Sequence, residues 1–178
     1  MMKGYITFTY REIDELGEYG LRRKIGRTEK HPCFSKVPIR GVHVYKDPAS
    51  CIEATEHYYK NFFAEVEVVG QLVEVSEDEI VTDEIKFLKV FCSVNMLLAC
   101  LDSKPDGDIK DFSVKVRLFA VRNEFHIGSL LSDSNREVKL ANVRKGWYSP
   151  FLSDPDPEVS LKARLEMEYE ERSILRFC

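Results

Sequence analysis

The segment 159-VSLKARLEMEY-169 decides how the second half of this chain is read. Val159, Leu161, Ala163, Leu165, Met167 and Tyr169 are apolar, and Ser160, Lys162, Arg164, Glu166 and Glu168 between them are polar. Strict alternation is the period of a half-buried strand, whose successive side chains point to opposite faces. Propensity alone allows a helix from Leu161 to Arg172, but helical winding scatters the apolar residues around the axis, so the alternation predicts a strand. Residues 111–121 read the same way, with Phe112, Val114, Val116, Leu118 and Ala120 on one face and Lys115 and Arg117 on the other. Residues 136–143 form a further expected strand. GWYSPF (146–151) reads as an aromatic loop, and SDPDPE (153–158) as an extended connection, because each Asp precedes a proline and is pushed out of helical geometry.

The turn-rich run DSKPDGD (102–108) separates this half from a different texture. GYITFTY (4–10) is rich in β-branched and aromatic residues and predicts a strand. A turn or short helix follows, then an irregular basic loop reaching Pro38, with a short strand near Lys24 to Gly26. Residues 41–45 predict a strand and Asp47-Pro48 a helix start, since aspartate accepts from first-turn amides and proline at the first helical position gives up no bond. That helix is expected to run from Pro48 to about Asn61, with Ile52, Thr55, Tyr59 and Phe62 inward. AEVEVVG (64–70) alternates, Ala64, Val66 and Val68 against Glu65 and Glu67. Residues 71–75 continue or return it, 80–85 predict another strand, and 86–101 a buried helix with Phe87, Phe91, Val94 and Leu98 on one stripe. The expected class is α+β: a mixed small sheet with two helices over residues 1–101, then an antiparallel β-rich region over 102–178, as two domains or one continuous one.

With 178 residues, 44% hydrophobic and 31% charged, the chain has ordinary globular composition. No apolar run approaches the roughly 20 residues of a membrane span. The N-terminus lacks a secretory pattern, so the expected location is the cytoplasm and no membrane partner is expected. Five cysteines without a CxxC pair suggest neither a disulfide framework nor a zinc knuckle, and Cys51 and Cys92 read as small hydrophobes. The net charge of −4 hides an asymmetry. Arg22, Arg23, Lys24, Arg27, Lys30, Lys36, Arg40 and Lys46 face one acid, Glu29, between residues 21 and 46; residues 47–91 carry eleven acids and three lysines. The two segments either neutralise one another or leave a phosphate-facing surface.

No Walker loop, GxGxxG, HExxH, GxSxG or EF-hand pattern is present. His43, between Val42 and Val44, shares a strand face with Tyr45 and is a candidate for structural hydrogen bonding or for binding; His43 and His57 could approach one another in space. Glu65 and Glu67 stand about 7 Å apart by strand rise, which suits an acid pair, a metal site or a plain solvent face. Trp147 and Tyr148, beside Arg144 and Lys145, suit stacking on a base or a protein partner, or the rim of a core.

Gly41, His43, Asp47-Pro48, Tyr58-Tyr59, Glu65-Val66-Glu67 and Ile85-Lys86, with Tyr5 and Phe8 as weaker companions, give residues 3–90 an order and spacing that resembles a family of uncharacterised bacteriophage and prophage proteins. The same order of an aromatic strand, a G-x-H strand and a D-P helix is similar to the front half of ADP-ribosyltransferase folds. That second resemblance implies NAD as cofactor and a catalytic glutamate on a late strand, with Tyr45 and Glu168 as catalytic candidates, Glu166 as the alternative glutamate, and the basic loop holding the pyrophosphate. Tyr5-Ile6-Thr7 stands where those folds carry Arg or His.

Three expectations follow. The first, implied by the phage resemblance, is a protein of the host cytoplasm that binds, and inhibits, a host protein or nucleoprotein complex through protein contacts and without a cofactor. The second is an ADP-ribosyltransferase acting on a host protein. The third is nucleic-acid binding through Arg22 to Lys46, which the acidic total disfavours. The binding residues expected are His43, Tyr45, Arg22, Arg23, Lys24, Arg27, Arg40, Trp147 and Tyr148, with no metal.

Overall fold

The computed structural model describes residues 2–8, 25–30, 35–36, 39–55 and 62–175. The chain divides into two compact units, Met1–Pro105 and Asp106–Cys178.

The first unit is built on an antiparallel sheet. Its strands are β1 (Met2–Phe8), β2 (Thr28–Lys30), β5 (Val42–Tyr45), β6 (Phe62–Val68), β7 (Leu72–Glu74), β8 (Glu79–Thr82) and β9 (Glu84–Phe91), in the order β2-β9-β6-β1-β5-β8-β7. A separate two-residue pairing joins β3 (Ser35–Lys36) to β4 (Ile39–Arg40). The sheet is neither small nor mixed, because its organising element is one long hairpin, and a tight turn can join only antiparallel strands. β6 runs into β7, and β8 into β9, with a turn closed by Val75 N–H to Glu79 O at 3.0 Å and Ser76 N–H to Glu79 O at 3.1 Å. The hairpin bends where Val69 N–H reaches Glu84 O at 3.1 Å and Asp83 N–H reaches Gln71 O at 3.2 Å. Its base therefore pairs with β1, and its tip with β5.

One face of the sheet gathers the core of this unit. Ile6, Val44, Ala64, Val66, Ile80, Ile85 and Phe87, drawn from five strands, make a single buried cluster. The alternation in AEVEV is confirmed, with Ala64 and Val66 fully buried and Glu65 and Glu67 partly exposed. Gly4 is opposite Val66, and an added Cβ there would lie 2.5 Å from Val44 Cγ1 and 2.7 Å from Tyr45 O. Only glycine lets β1 and β5 approach this closely.

Two helices serve the other face. α1 (Pro48–Glu53) packs on β1 and β5, α2 (Ser93–Ser103) packs on β6 and β9, and the two helices pack on each other. Cys51, Ile52, Met96, Leu97 and Cys100 are buried there with Phe63 and Phe91, and Tyr5 meets Phe91 with ring centres 6.3 Å apart. Asp47 caps α1 as expected, its Oδ1 accepting from Ser50 N–H at 3.0 Å, with Pro48 in the first turn. α1 nevertheless stops at Glu53, where Thr55 turns its hydroxyl back to Cys51 O at 3.0 Å. His57, Tyr58, Tyr59 and Asn61 are outside the described residues.

The helix expected over 86–101 is half strand. Residues 84–91 pair with β6, and a register shift between Glu65 and Val66 puts Phe87 in the inner cluster and Phe91 on the opposite face. What reads as a helical stripe is therefore an alternation broken by a bulge. Val94 and Leu98, assigned to the same stripe, are exposed.

The second unit corrects the expected β-rich half. It contains α3 (Val114–Arg122), α4 (Ile127–Leu130), α5 (Arg136–Arg144) and α6 (Pro157–Leu175), with short 3-10 turns at Ile109–Asp111 and Ser149–Phe151. Among the described residues it has no strand. Capping decides the starts. Ser113 Oγ accepts from Val116 N–H, Asn135 Oδ1 from Glu137 N–H and Val138 N–H, and Asp156 Oδ1 from Glu158 N–H. In α3 the buried residues Val116, Phe119, Ala120 and Val121 follow helical spacing. In α6 a narrow stripe suffices: Val159 and Ala163 are fully buried with Leu140, Val143 and Phe151, while Leu161, Leu165 and Tyr169 face solvent. The period-two pattern arises because half of its apolar residues are surface residues.

Polar ties lock this unit. Asp133 Oδ2 lies 3.2 Å from Arg117 Nε, the aspartate side chain buried and the arginine partly so. Asn142 Nδ2 donates to Leu130 O and Val138 O, and Lys139 Nζ meets Asp154 at 2.9 Å. None of the described helices is long and apolar enough to cross a membrane.

Candidate functional site

The strand pairing of β5 with β8 sets Tyr45 directly opposite Glu79 and His43 opposite Val81. His43 and Tyr45, on the face away from Val42 and Val44, both turn to the Glu79 carboxylate. His43 Nδ1 is 2.5 Å from Glu79 Oε1. An ionised carboxylate only accepts, so Nδ1 is the donor in this contact. Burial, then the Glu79 charge, with a hydrogen bond to the same carboxylate, push the Tyr45 phenol up to about 12. It remains a neutral donor at physiological pH.

The neighbours are unreactive. Burial raises the Cys51 thiol, and raises Cys100 to about 12, so neither forms a nucleophilic thiolate. Burial, followed by the Glu65 charge, also raises Tyr5, the register partner of Tyr45. Cys92 is exposed.

Glu65 and Glu67 are each matched with a lysine in this arrangement. Lys3 Nζ lies 3.3 Å from Glu65 and Lys86 Nζ 3.9 Å from Glu67, each across a neighbouring strand. The two acids belong to an ordinary ion-paired face. Of the basic loop, Arg22, Arg23, Lys24 and the side chain of Arg40 are outside the described residues. Arg27 is exposed just before β2, its carbonyl accepting from Phe87 N–H at 3.2 Å, and Lys46 is tied to Glu74 at 3.3 Å. Glu168, expected on a strand, is on α6 and faces Arg172 at 3.5 Å. Glu166 on the same helix meets Lys162 at 2.7 Å.

Trp147 lies in the second unit, at the end of α5. α5 ends in a closed cap: Gly146 adopts φ 92°, its N–H reaches Val143 O at 3.1 Å, and Trp147 N–H reaches Asn142 O at 3.0 Å. That double closure is a Schellman motif, in which the residue after the glycine usually folds its apolar side chain back onto the helix. Trp147 instead remains 44% exposed, between exposed Arg144 and Lys145 and the half-buried Tyr148. Tyr148 donates its hydroxyl to Glu170 on α6, which raises the phenol. The backbone beneath the indole is thus fixed from both sides.

No family model, no curated protein and no solved structure matches this chain. Among the described residues no three His, Cys, Asp or Glu side chains converge as metal ligands. Sequence reasoning named His43, Tyr45, Trp147 and Tyr148 but missed Glu79, the acid that joins the first two. Its only signal was position: it reads as a turn residue, and strand register alone brings it beside Tyr45.

Proposed function

We propose that this chain is a binding protein that engages a host macromolecule through protein-protein contacts, without chemistry of its own, and so inhibits it. The exposed Trp147 on its closed cap carries this reading. Tryptophan, tyrosine and arginine are the residues most enriched at binding hot spots, and a side chain whose backbone is already ordered loses less freedom on association. Trp147, Tyr148 and Arg144 supply all three in one rigid segment. The host as the source of the partner, and its cytoplasm as the location, rest on the phage-family resemblance alone.

The transferase reading lacks comparable support, because burial and the Glu79 charge keep the Tyr45 phenol neutral and Glu168 stands on a helix beside Arg172. Capture from a bacterial lysate on the immobilised full chain, at low and high salt, tests the proposal. A discrete protein held by the wild type and reduced at least tenfold, roughly, by Trp147→Ala supports it. Transfer of label from NAD to a lysate protein, abolished by Tyr45→Ala or Glu168→Ala, overturns it in favour of the enzyme.

A further inference from the structure

α3 and α5 pack on each other and end in the same motif. At the end of α3, Glu124 N–H reaches Val121 O at 3.1 Å and Phe125 N–H reaches Ala120 O at 2.9 Å, the double closure that Gly146 and Trp147 make at the end of α5. Glu124 Oε1 lies 3.3 Å from Lys145 Nζ, so the two caps share one surface. They differ in their aromatic residue. Phe125 is half-buried, as the motif directs, whereas Trp147 is exposed.

His126 follows on the same surface. It is exposed, adopts a left-handed φ of 52° and opens α4 without a side-chain capping bond, its ring centre 4.6 Å from that of Phe125. Strained backbone at a residue other than glycine persists only where the surrounding structure holds it, and the closed α3 cap holds it here.

The polar groups left open at these caps are donors. The Arg144 guanidinium and the Trp147 indole only donate, and His126 carries a ring N–H in either charge state. The carboxylate of the two caps, that of Glu124, is taken by Lys145. Among the described residues neither Arg144 nor His126 is in an ion pair. The occupant must therefore bring negatively charged acceptors. A nucleic acid brings them along its whole length and meets repulsion from a chain of net charge −4. A short acidic stretch of protein brings them only where the donors are, and Arg144 can hold a carboxylate through two parallel bonds.

We infer, resting on the binding role proposed for Trp147, that the partner engaged there presents an acidic protein segment, its carboxylates bound by Arg144 and His126 beside the indole.

Capture on the immobilised full chain from a nuclease-treated bacterial lysate, followed by titration of the captured protein, once purified, into folded variants, tests it. Arg144→Glu should weaken binding at least tenfold, roughly, and the affinity of the wild type should fall as salt rises. His126→Gly removes the ring and relieves the strained backbone, so its thermal midpoint should rise while its affinity falls at least threefold, roughly. A purely structural role for His126 would move the two together. A captured protein that is lost in Trp147→Ala but indifferent to Arg144→Glu overturns the acidic segment and leaves the binding role standing. Capture abolished by the nuclease identifies a nucleic acid and overturns it as well. A wild type that captures no discrete protein overturns both readings.

Discussion

His43 and Glu79 meet across adjacent strands, with Nδ1 2.5 Å from Oε1, and the charge of the same carboxylate, after burial, helps to raise the Tyr45 phenol. The acid therefore acts on both side chains of β5 that sequence reasoning left unexplained.

The Tyr45 phenol supplies the first prediction. It titrates near 10.0 unperturbed and about 12 folded, so the folded state holds the proton more tightly. The resulting stability is whole below pH 10 and is lost as pH rises toward 12. Urea unfolding from pH 8 to 11.5 should show a steeper decline for the wild type than for Tyr45→Phe. Glu79→Gln should move the phenol's absorbance titration back toward 10, and an unmoved titration would mean that burial alone sets it.

Gly4 supplies a second. Ala at this position puts a Cβ 2.5 Å from Val44 Cγ1 and against the Tyr45 carbonyl, which cannot retreat without breaking the pairing of β1 with β5. Gly4→Ala should cost about 1–3 kcal/mol in denaturant unfolding. A neutral result would show that the two strands separate freely.

The buried Arg117–Asp133 contact predicts a larger loss. Asp133 is 1% exposed at its side chain, and its Oδ1 also accepts from Asn135 N–H at 2.8 Å, just before α5. Asp133→Ala leaves the largely enclosed guanidinium with only the Lys110 carbonyl as acceptor and should destabilise the chain by about 2–4 kcal/mol. By contrast, Glu65→Gln, whose Lys3 partner is 66% exposed, should change stability by under about 1 kcal/mol. Thermal unfolding of both variants reverses this ranking if the ledger of burial is wrong.

The first unit was legible wherever one feature settled the structure. Asp47-Pro48 marked a helix start, and AEVEV marked a strand, because capping and pleat each act over a few residues. Phe87, Phe91, Val94 and Leu98 misled, since a bulge mimics the drift of a helix. The second unit was misread for a related reason: among the described side chains of α6 only Val159 and Ala163 are fully buried, so apolar residues on its solvent face completed a false alternation. Propensity and the caps at Ser113, Asn135 and Asp156 were the better guides there. The site was half visible. His43, Tyr45 and Trp147 stand out by type, but Glu79 depends on register and the exposure of Trp147 on a three-dimensional cap, and neither is written in local sequence.

Trp147 is the chain's single tryptophan, so uniform incorporation of 5-fluorotryptophan gives one fluorine resonance that reports on the proposed contact alone. Titration of the labelled chain with the protein captured from lysate should carry that resonance from its free position to a bound one at stoichiometric addition. A resonance that stays at the free position while sedimentation shows the complex formed would contradict the binding role assigned to Trp147.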